Sequence, residues 1–347
     1  MFIVLALIIF CFLIFIHEGG HFLAAKFFKV GVKEFSLGMG PGIFSRKKGE
    51  TVYSLRILPI GGYCSMLESP DEISGDSEGG EVDHSFDGKI SFSECSTLGK
   101  AVILCAGAFM NLLCAILITI GMVLYVGLPT TTIDQVQPAS PAVEAGIKAG
   151  DRIENINGVA IENWSQIKVL IAEGKGSEVS VGVNRDGKEL NFRMKPVISE
   201  DGSRLIIGIT PERSRNILTA SKLGVENTWQ MGGVMLDVIR QLITGETSPK
   251  QLTGVIGITV VVEDSIHRGV LYVCYVASML SLNLAVVNML PFPALDGGRV
   301  LMLFVRKLAG KRISDAIESK IHFVGILLLF SLMIFVTWQD IERFIIN

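Results

Sequence analysis

His17 and His21 lie four residues apart, and Glu18 follows the first of them. On a helix, side chains at i and i+4 share a face, so two imidazoles at that spacing can hold one metal ion. A glutamate beside the first ligand can reach the coordination position left over and take a proton from water there. Zinc lowers the pKa of such water to about 7, which makes hydrolysis accessible near neutrality. Gly19 and Gly20 complete the H-E-x-x-H pattern and bare the adjoining surface, so another helix or a substrate backbone can come close.

The elements that must carry this cluster are apolar. The chain has 347 residues, is 49% hydrophobic and has a mean hydropathy of +0.50, too apolar for a typical soluble enzyme. Apolar runs cover residues 1–25, about 101–128, about 270–290 and about 323–338. Each approaches the roughly 20 residues that a helical span needs. The first run has no basic residue ahead of it and no small-residue cleavage site after it, so it reads as a span and not as a signal peptide. His17, Glu18 and His21 sit inside it. Ionisable groups there cost several kcal/mol each and usually face a functional interior. The alternative is a polar face packed on another helix, and the metal spacing of the three argues against it.

Two histidines leave a metal site one protein ligand short. His322 lies at the edge of the fourth run, His84 in an acidic loop and His267 in the long polar region. Asp296 is better placed, within "NMLPFPALDGGR" at residues 288–299. Pro291 and Pro293 break the third helix there, and irregular backbone at membrane depth is tolerated where it lines a cavity. Capping the next helix is the other role open to Asp296.

Charge gives an orientation. The first loop carries Lys26, Lys29, Lys33, Arg46, Lys47 and Lys48, and the last carries Arg306, Lys307, Lys311, Arg312 and Lys320. Both are cytoplasmic by the positive-inside rule, which places both termini and residues 129–269 outside and the HExxH cluster towards the cytoplasmic side. The net charge of -3 gives no sign of nucleic-acid binding. Of the six cysteines, four lie in apolar runs, and Cys64 and Cys95 lie in the first loop; none lies in residues 129–269, so that region is not disulfide-stapled.

Within the first loop, "TVYSLRILPIGGYCSM" alternates and reads as a hairpin turning on Gly61 and Gly62. "GMGPG" at 38–42 lacks the strand–helix context of a phosphate loop. The acidic, Gly/Ser-rich insert at 70–90 is too poor in apolar residues to pack. Residues 129–198 read as short strands with Asn-Gly and Asp-Gly turns. Their "AGIKAGDRIENING", Ala145 to Gly158, resembles a PDZ domain, a type that binds extended chains at a sheet edge. Residues 199–269 form a connector whose 214–245 part is an amphipathic helix, either lying at the membrane surface or packed on the β-domain. The last unit, 270–347, carries the third and fourth spans.

An HExxH in the first span, N-x-x-P-x-x-x-LDG near the third and a PDZ insertion between them resemble the site-2 protease family of intramembrane zinc metalloproteases, in its bacterial RseP-type branch. The resemblance implies a polytopic α-helical membrane protein of the bacterial inner membrane, with a membrane-associated β-hairpin and an inserted α+β PDZ domain. It implies one zinc per chain on His17, His21 and Asp296, with Glu18 as general base. It implies that Asn288 helps hold the substrate strand or the transition state. The hairpin around Tyr53, Gly61 and Gly62 would pair with an unwound substrate segment. Substrates would be single-span proteins, such as anti-sigma factors or remnant signal peptides, already cut once outside, and the PDZ domain would touch the substrate or its cut terminus. The chain departs from the pattern in having one PDZ domain, Val255 where the family has proline, and the acidic insert. A protease acting at the membrane face and a PDZ-bearing adaptor with a dead site are the rival readings.

Overall fold

The computed structural model describes residues 2–69, 86–199, 202, 204–247, 254–309 and 315–343. The acidic insert up to residue 85, with His84, and the 248–253 part of the connector lie outside the described residues. The chain divides into two compact units, Met1–Thr119 with Gly224–Asn347, and Ile120–Leu223. The architecture is the expected polytopic helical one with an inserted α+β domain.

The first unit is built on long helices. Helices α1 (Phe2–Phe27) and α2 (Thr97–Val126) come first. Helices α7 (Val270–Asn288) and α9 (Asp315–Ile341) close the chain. All four are long and apolar enough to cross a membrane. Proline-free apolar runs explain them, since helix formation satisfies every backbone group within the segment. In α1, Ala6, Ile9, Leu13, His17, His21 and Ala25 are buried, while Val4, Ile8, Phe12 and Phe15 are exposed. The three- and four-residue steps make the first set one stripe facing neighbouring helices and the second a stripe free to meet lipid. The two histidines thus continue the packing stripe of α1. Helices α1, α6 (Val255–Arg268) and α7 share a core of Ala6, Ile9, Leu13, Val262, Val276 and Leu280.

Helices α2 and α7 meet through small and hydroxyl residues. Ser278 Oγ donates to Ala115 O (3.0 Å) and Ser281 Oγ donates to Asn111 O (2.8 Å). Such bonds stand in for the hydrophobic drive that is missing between helices in lipid.

The loop between α1 and α2 differs from the expected hairpin. Residues 51–66 do not turn on themselves; they form one strand, β2 (Thr51–Met66), paired with β1 (Val32–Lys48). The connection is at Gly49, whose φ of +63° favours glycine. Both strands bend back, β1 at Gly38 and Gly40 and β2 at Gly61, all at positive φ. Phe35 therefore pairs with both Tyr53 and Cys64, and Leu37 with both Leu55 and Gly62. "GMGPG" is the bend of β1. The 62–66 arm of β2 has no second strand beside it among the described residues.

The second unit holds β3 (Leu128–Val136), α3 (Pro141–Ala145), β4 (Arg152–Ile156), β5 (Val159–Ala160), α4 (Trp164–Glu173), β6 (Val179–Arg185) and β7 (Lys188–Met194). Strands β8 (Val197–Ile198), β9 (Leu205–Ile206) and β10 (Ile209–Ser214) follow. The main sheet runs β10-β3-β4-β6-β7, with β5 on β4. Its core gathers Ile133, Ile153, Ile156, Trp164, Ile167 and Val181. Asn157-Gly158 and Asp186-Gly187 turn at positive φ, as their dipeptides predict. The domain does not stop at 198, because β10 pairs with β3, 75 positions away from Gln135 at Thr210. Helix α5 (Ile217–Thr244) takes up the predicted amphipathic segment and leaves Leu218, Val225 and Trp229 exposed.

Candidate metal centre

The buried stripe of α1 points His17 and His21 at the turn that follows α7. Asn288 ends α7, and Asp296 opens α8 (Asp296–Ala309). Between them Pro291 and Pro293 prevent a continuous helix. Gly297 and Gly298 let the turn fold tightly onto α8, since a Cβ on either would lie 2.3 Å from Met289 O or 2.1 Å from Phe292 O. Ala294, at φ +80°, is held by its N–H donating to His322 Nδ1 at 3.1 Å. Helix α9 also presses on this turn at Gly325, where a Cβ would meet Pro293 O at 2.5 Å.

These constraints deliver the Asp296 carboxylate, 279 residues along the chain, to the α1 histidines. Asp296 Oδ2 is 3.1 Å from His17 Nε2 and 3.4 Å from His21 Nε2, and the two Nε2 atoms are 3.3 Å apart. A tetrahedral zinc with bonds near 2.0–2.1 Å sets its ligand atoms about 3.3 Å apart. The three atoms therefore match three corners of such a site and leave a fourth corner for water or substrate. Burial alone would raise the Asp296 carboxyl, but the adjacent imidazoles outweigh it and hold the group below the ordinary carboxylate range.

Helix α2 adds no residue to the described group of potential ligands, yet it touches both imidazoles. His21 Nδ1 donates to Ile103 O at 2.8 Å, and Asn111 Nδ2 lies 3.2 Å from His17 Nδ1. Between them, Gly107 is so close that a Cβ would lie 2.4 Å from His21 Nε2. Gly20 answers from α1, where a Cβ would lie 2.3 Å from Ala106 O, whereas Gly19 has nothing within 4 Å. The close helix approach expected of the glycine pair belongs to Gly20 alone.

Glu18 faces the outer arm of the β-sheet. The Cys64 backbone N–H lies near its carboxylate, and a Cβ on Gly62 would lie 3.2 Å from Glu18 Cγ. Burial pushes the Cys64 thiol up to about 12, with the Glu18 charge adding to the effect, so no thiolate forms here. Asn288 Nδ2 is 3.4 Å from His17 Nε2. Gly61 packs on Met39. Tyr53 lies across β1 from this arm and packs its ring edge-on against Phe22 and tilted against Phe35. Of the other histidines, His322 holds the Ala294 turn, and the described group of potential ligands consists of His17, His21 and Asp296.

A family model, that of peptidase family M50, matches residues 5–332. The chain belongs to peptidase family M50. Among its M50 relatives, a Clostridium perfringens protein named as a candidate zinc metalloprotease is 34% identical over 343 residues, covering 98% of each chain. The regulator of sigma-W protease RasP of Bacillus subtilis is 30% identical over 410 residues, covering 97% of each chain. The zinc metalloprotease RasP of Geobacillus kaustophilus is 30% identical over 408 residues with the same coverage. Among solved structures, the PDZ domain of an SdrC-like protein from Listeria monocytogenes is 25% identical, covering 24% of this chain and 87% of that one at a TM-score of 0.22. Sequence reasoning on this M50 chain passes over Ile103, Gly107 and Asn111 and weighs His322 only as a third ligand, because the positions that matter are set by which helix face meets the candidate ligands.

Proposed function

We propose that this M50 peptidase is a zinc-dependent intramembrane endopeptidase that cuts membrane-spanning segments of single-span proteins after a first cut outside. The observation that carries the reading is the triangle of His17 Nε2, His21 Nε2 and Asp296 Oδ2, with edges of 3.1, 3.3 and 3.4 Å, lodged on the buried stripe of an apolar helix. His17, His21 and Asp296 hold the zinc. Bound there, zinc supplies Lewis acidity towards a carbonyl and acidifies water to a pKa near 7.

Glu18 takes the proton from the attacking water and passes it to the leaving amine. Asn288, at the end of α7, reaches the same space and orients the substrate. A helical peptide bond is shielded by intrahelical hydrogen bonds, so the substrate must unwind before attack. The 62–66 arm beside Glu18 offers open strand positions that take over those bonds, with Gly61 and Gly62 allowing close approach. Tyr53 supports this arm from the inner strand.

Basic residues flanking α1 and α9 support a site near the cytoplasmic face, with both termini and the PDZ-like domain extracytoplasmic. In that domain a groove of about 830 Å³ runs beside α4 and β9, floored by Trp164, Ile167, Ile171 and Ile207. It receives an extended segment of the substrate or its cut end. The sigma-W regulator named among the relatives makes anti-sigma factors the first substrates to try.

The test is Glu18→Gln assayed on a membrane-embedded reporter. Zinc content should stay at one per chain while cleavage falls by at least 10³-fold, because only proton transfer is lost. Continued cleavage by the variant sinks the assignment, as does a wild-type protein that binds no zinc.

A further inference from the structure

Asn111 on α2 is fully buried, and its side-chain Oδ1 is one of two described buried polar atoms with no hydrogen-bond partner, the other being Gln339 Oε1. An orphaned buried acceptor costs about 1–3 kcal/mol, so its retention beside a reactive cluster calls for a cause. The amide lies against His17, with Nδ2 3.2 Å from Nδ1. A half-turn of the amide about its last torsion exchanges Nδ2 and Oδ1 without moving the backbone.

The chemistry of His17 decides which end must face it. The Nε2 atoms of both histidines face each other and Asp296, so both rings present Nε2 to the common centre. A neutral imidazole that binds through Nε2 carries its proton on Nδ1, and that N–H needs an acceptor. His21 has one in the Ile103 carbonyl, at 2.8 Å. The group at the equivalent place for His17 is the Asn111 amide. Ile103, Gly107 and Asn111 follow one another at i, i+4 and i+8, so one face of α2 serves both rings. Ser281 Oγ bonds the Asn111 backbone carbonyl at 2.8 Å and ties that turn of α2 to α7.

We propose that Asn111 is a positioning residue: its Oδ1 accepts the Nδ1–H of His17 and fixes the tautomer and ring plane that offer Nε2 to the metal. The inference rests on the reading that His17 binds zinc. It adds that α2, which contributes no ligand, sets the affinity of the site through two outer contacts.

The experiment compares Asn111→Asp, Asn111→Leu and wild type as full-length protein in detergent. The readouts are zinc per chain, zinc retained against a graded chelator, and the visible spectrum after cobalt substitution. Asp keeps an acceptor in the same shape but can no longer donate; Leu keeps the volume and can do neither. The acceptor role predicts that Asp retains zinc within about threefold of wild type. Leu should hold it 10- to 100-fold more weakly, the range seen when outer partners of metal-bound histidines are removed, with a shifted cobalt spectrum. A 10-fold or greater loss in the Asp variant overturns the proposal, because it shows that donation from Nδ2 matters. Wild-type affinity in the Leu variant overturns it equally. If Leu does not fold, the Asp variant decides alone. A wild-type protein without zinc refutes the metal reading itself, a result distinct from either variant outcome.

Discussion

Substituting Gly107 by alanine tests the candidate metal centre without replacing a candidate ligand. The added Cβ would lie 2.4 Å from His21 Nε2, 2.8 Å from His17 Cε1 and 2.9 Å from His17 Nε2. Ordinary contact starts near 3.4 Å, so relieving the closest approach needs a shift of about 1 Å between α1 and α2. Overpacking of this kind costs about 1–3 kcal/mol. The ligand set is less forgiving than the packing, because metal–ligand distances tolerate only about 0.2 Å. A 1 Å retreat of one Nε2 removes it from the triangle while the other two ligands stay. We expect zinc affinity to fall at least 10-fold, about 1.4 kcal/mol, and cleavage to fall with it. Gly19→Ala is the matched control, since nothing lies within 4 Å of its added carbon. That substitution should leave zinc content unchanged and raise helix stability by roughly 0.5–1 kcal/mol. The assays are zinc per chain after gel filtration and thermal unfolding with and without added zinc. A Gly107→Ala protein that keeps one zinc per chain at wild-type chelator resistance refutes the reasoning, because the clash would then be relieved away from the ligands.

Two further outcomes follow from the structure. Ala294 sits at φ +80°, two residues before Asp296, where an L residue is strained by roughly 1–2 kcal/mol. Ala294→Gly should therefore retain zinc and cleavage, whereas Ala294→Val should lose both; equal zinc retention in the two would show that the turn does not depend on this conformation. In the second unit, burial would raise the Asp151 carboxyl, but Arg185 Nε (2.6 Å), Arg185 Nη2 (2.7 Å) and the Lys148 N–H (2.9 Å) outweigh it and hold the group below its ordinary value. A carboxyl lowered by folding contributes stability that is fully present above the unfolded value near 3.9 and is lost as pH falls through the folded value. Hydrogen exchange at β4 should show Asp151→Asn less protected than wild type at pH 7, by on the order of 2 kcal/mol, with the gap closing below about pH 4. A gap that does not change with pH would exclude the ionic contribution.

Some of this was legible in the chain and some was not, for reasons that lie in particular residues. His17, Glu18 and His21 were readable because helical spacing alone puts them together. Asp296 was readable because two prolines break a span just before it. The partner of residues 51–66 was not, since β1 is interrupted by "GMGPG", and only glycine bends at positive φ show that one strand serves both arms of the other. A Gly-Gly pair looks like a turn by composition, yet in β2 Gly61 bends the strand and Gly62 lets it lie against α1. The extent of the β-domain was missed because β10 joins the sheet through β3, far away in sequence. Asn111 and Gly107 lie in an apolar run where asparagine and glycine read as packing residues until the facing helix is known.

The candidate ligands and their constraints come from different parts of the chain, and that division accounts for the shape of the site. Helix α1 contributes two imidazoles at fixed spacing, so their geometry needs only the correct rotation of the helix, which the Ala6–Ala25 stripe sets. Asp296, the third candidate ligand, lies 279 residues from His17 and cannot rely on local spacing. It depends instead on a turn with a strained alanine, two glycines folded onto carbonyls, and α9 holding that turn through His322 and Gly325. Helix α2 then closes the arrangement from behind, with a carbonyl, a bare Cα and an amide against the rings. The open side is left to Glu18 and the 62–66 arm of β2. A water or peptide group entering there meets Glu18 and an open strand edge together, because Gly62 of that same arm lies against Glu18.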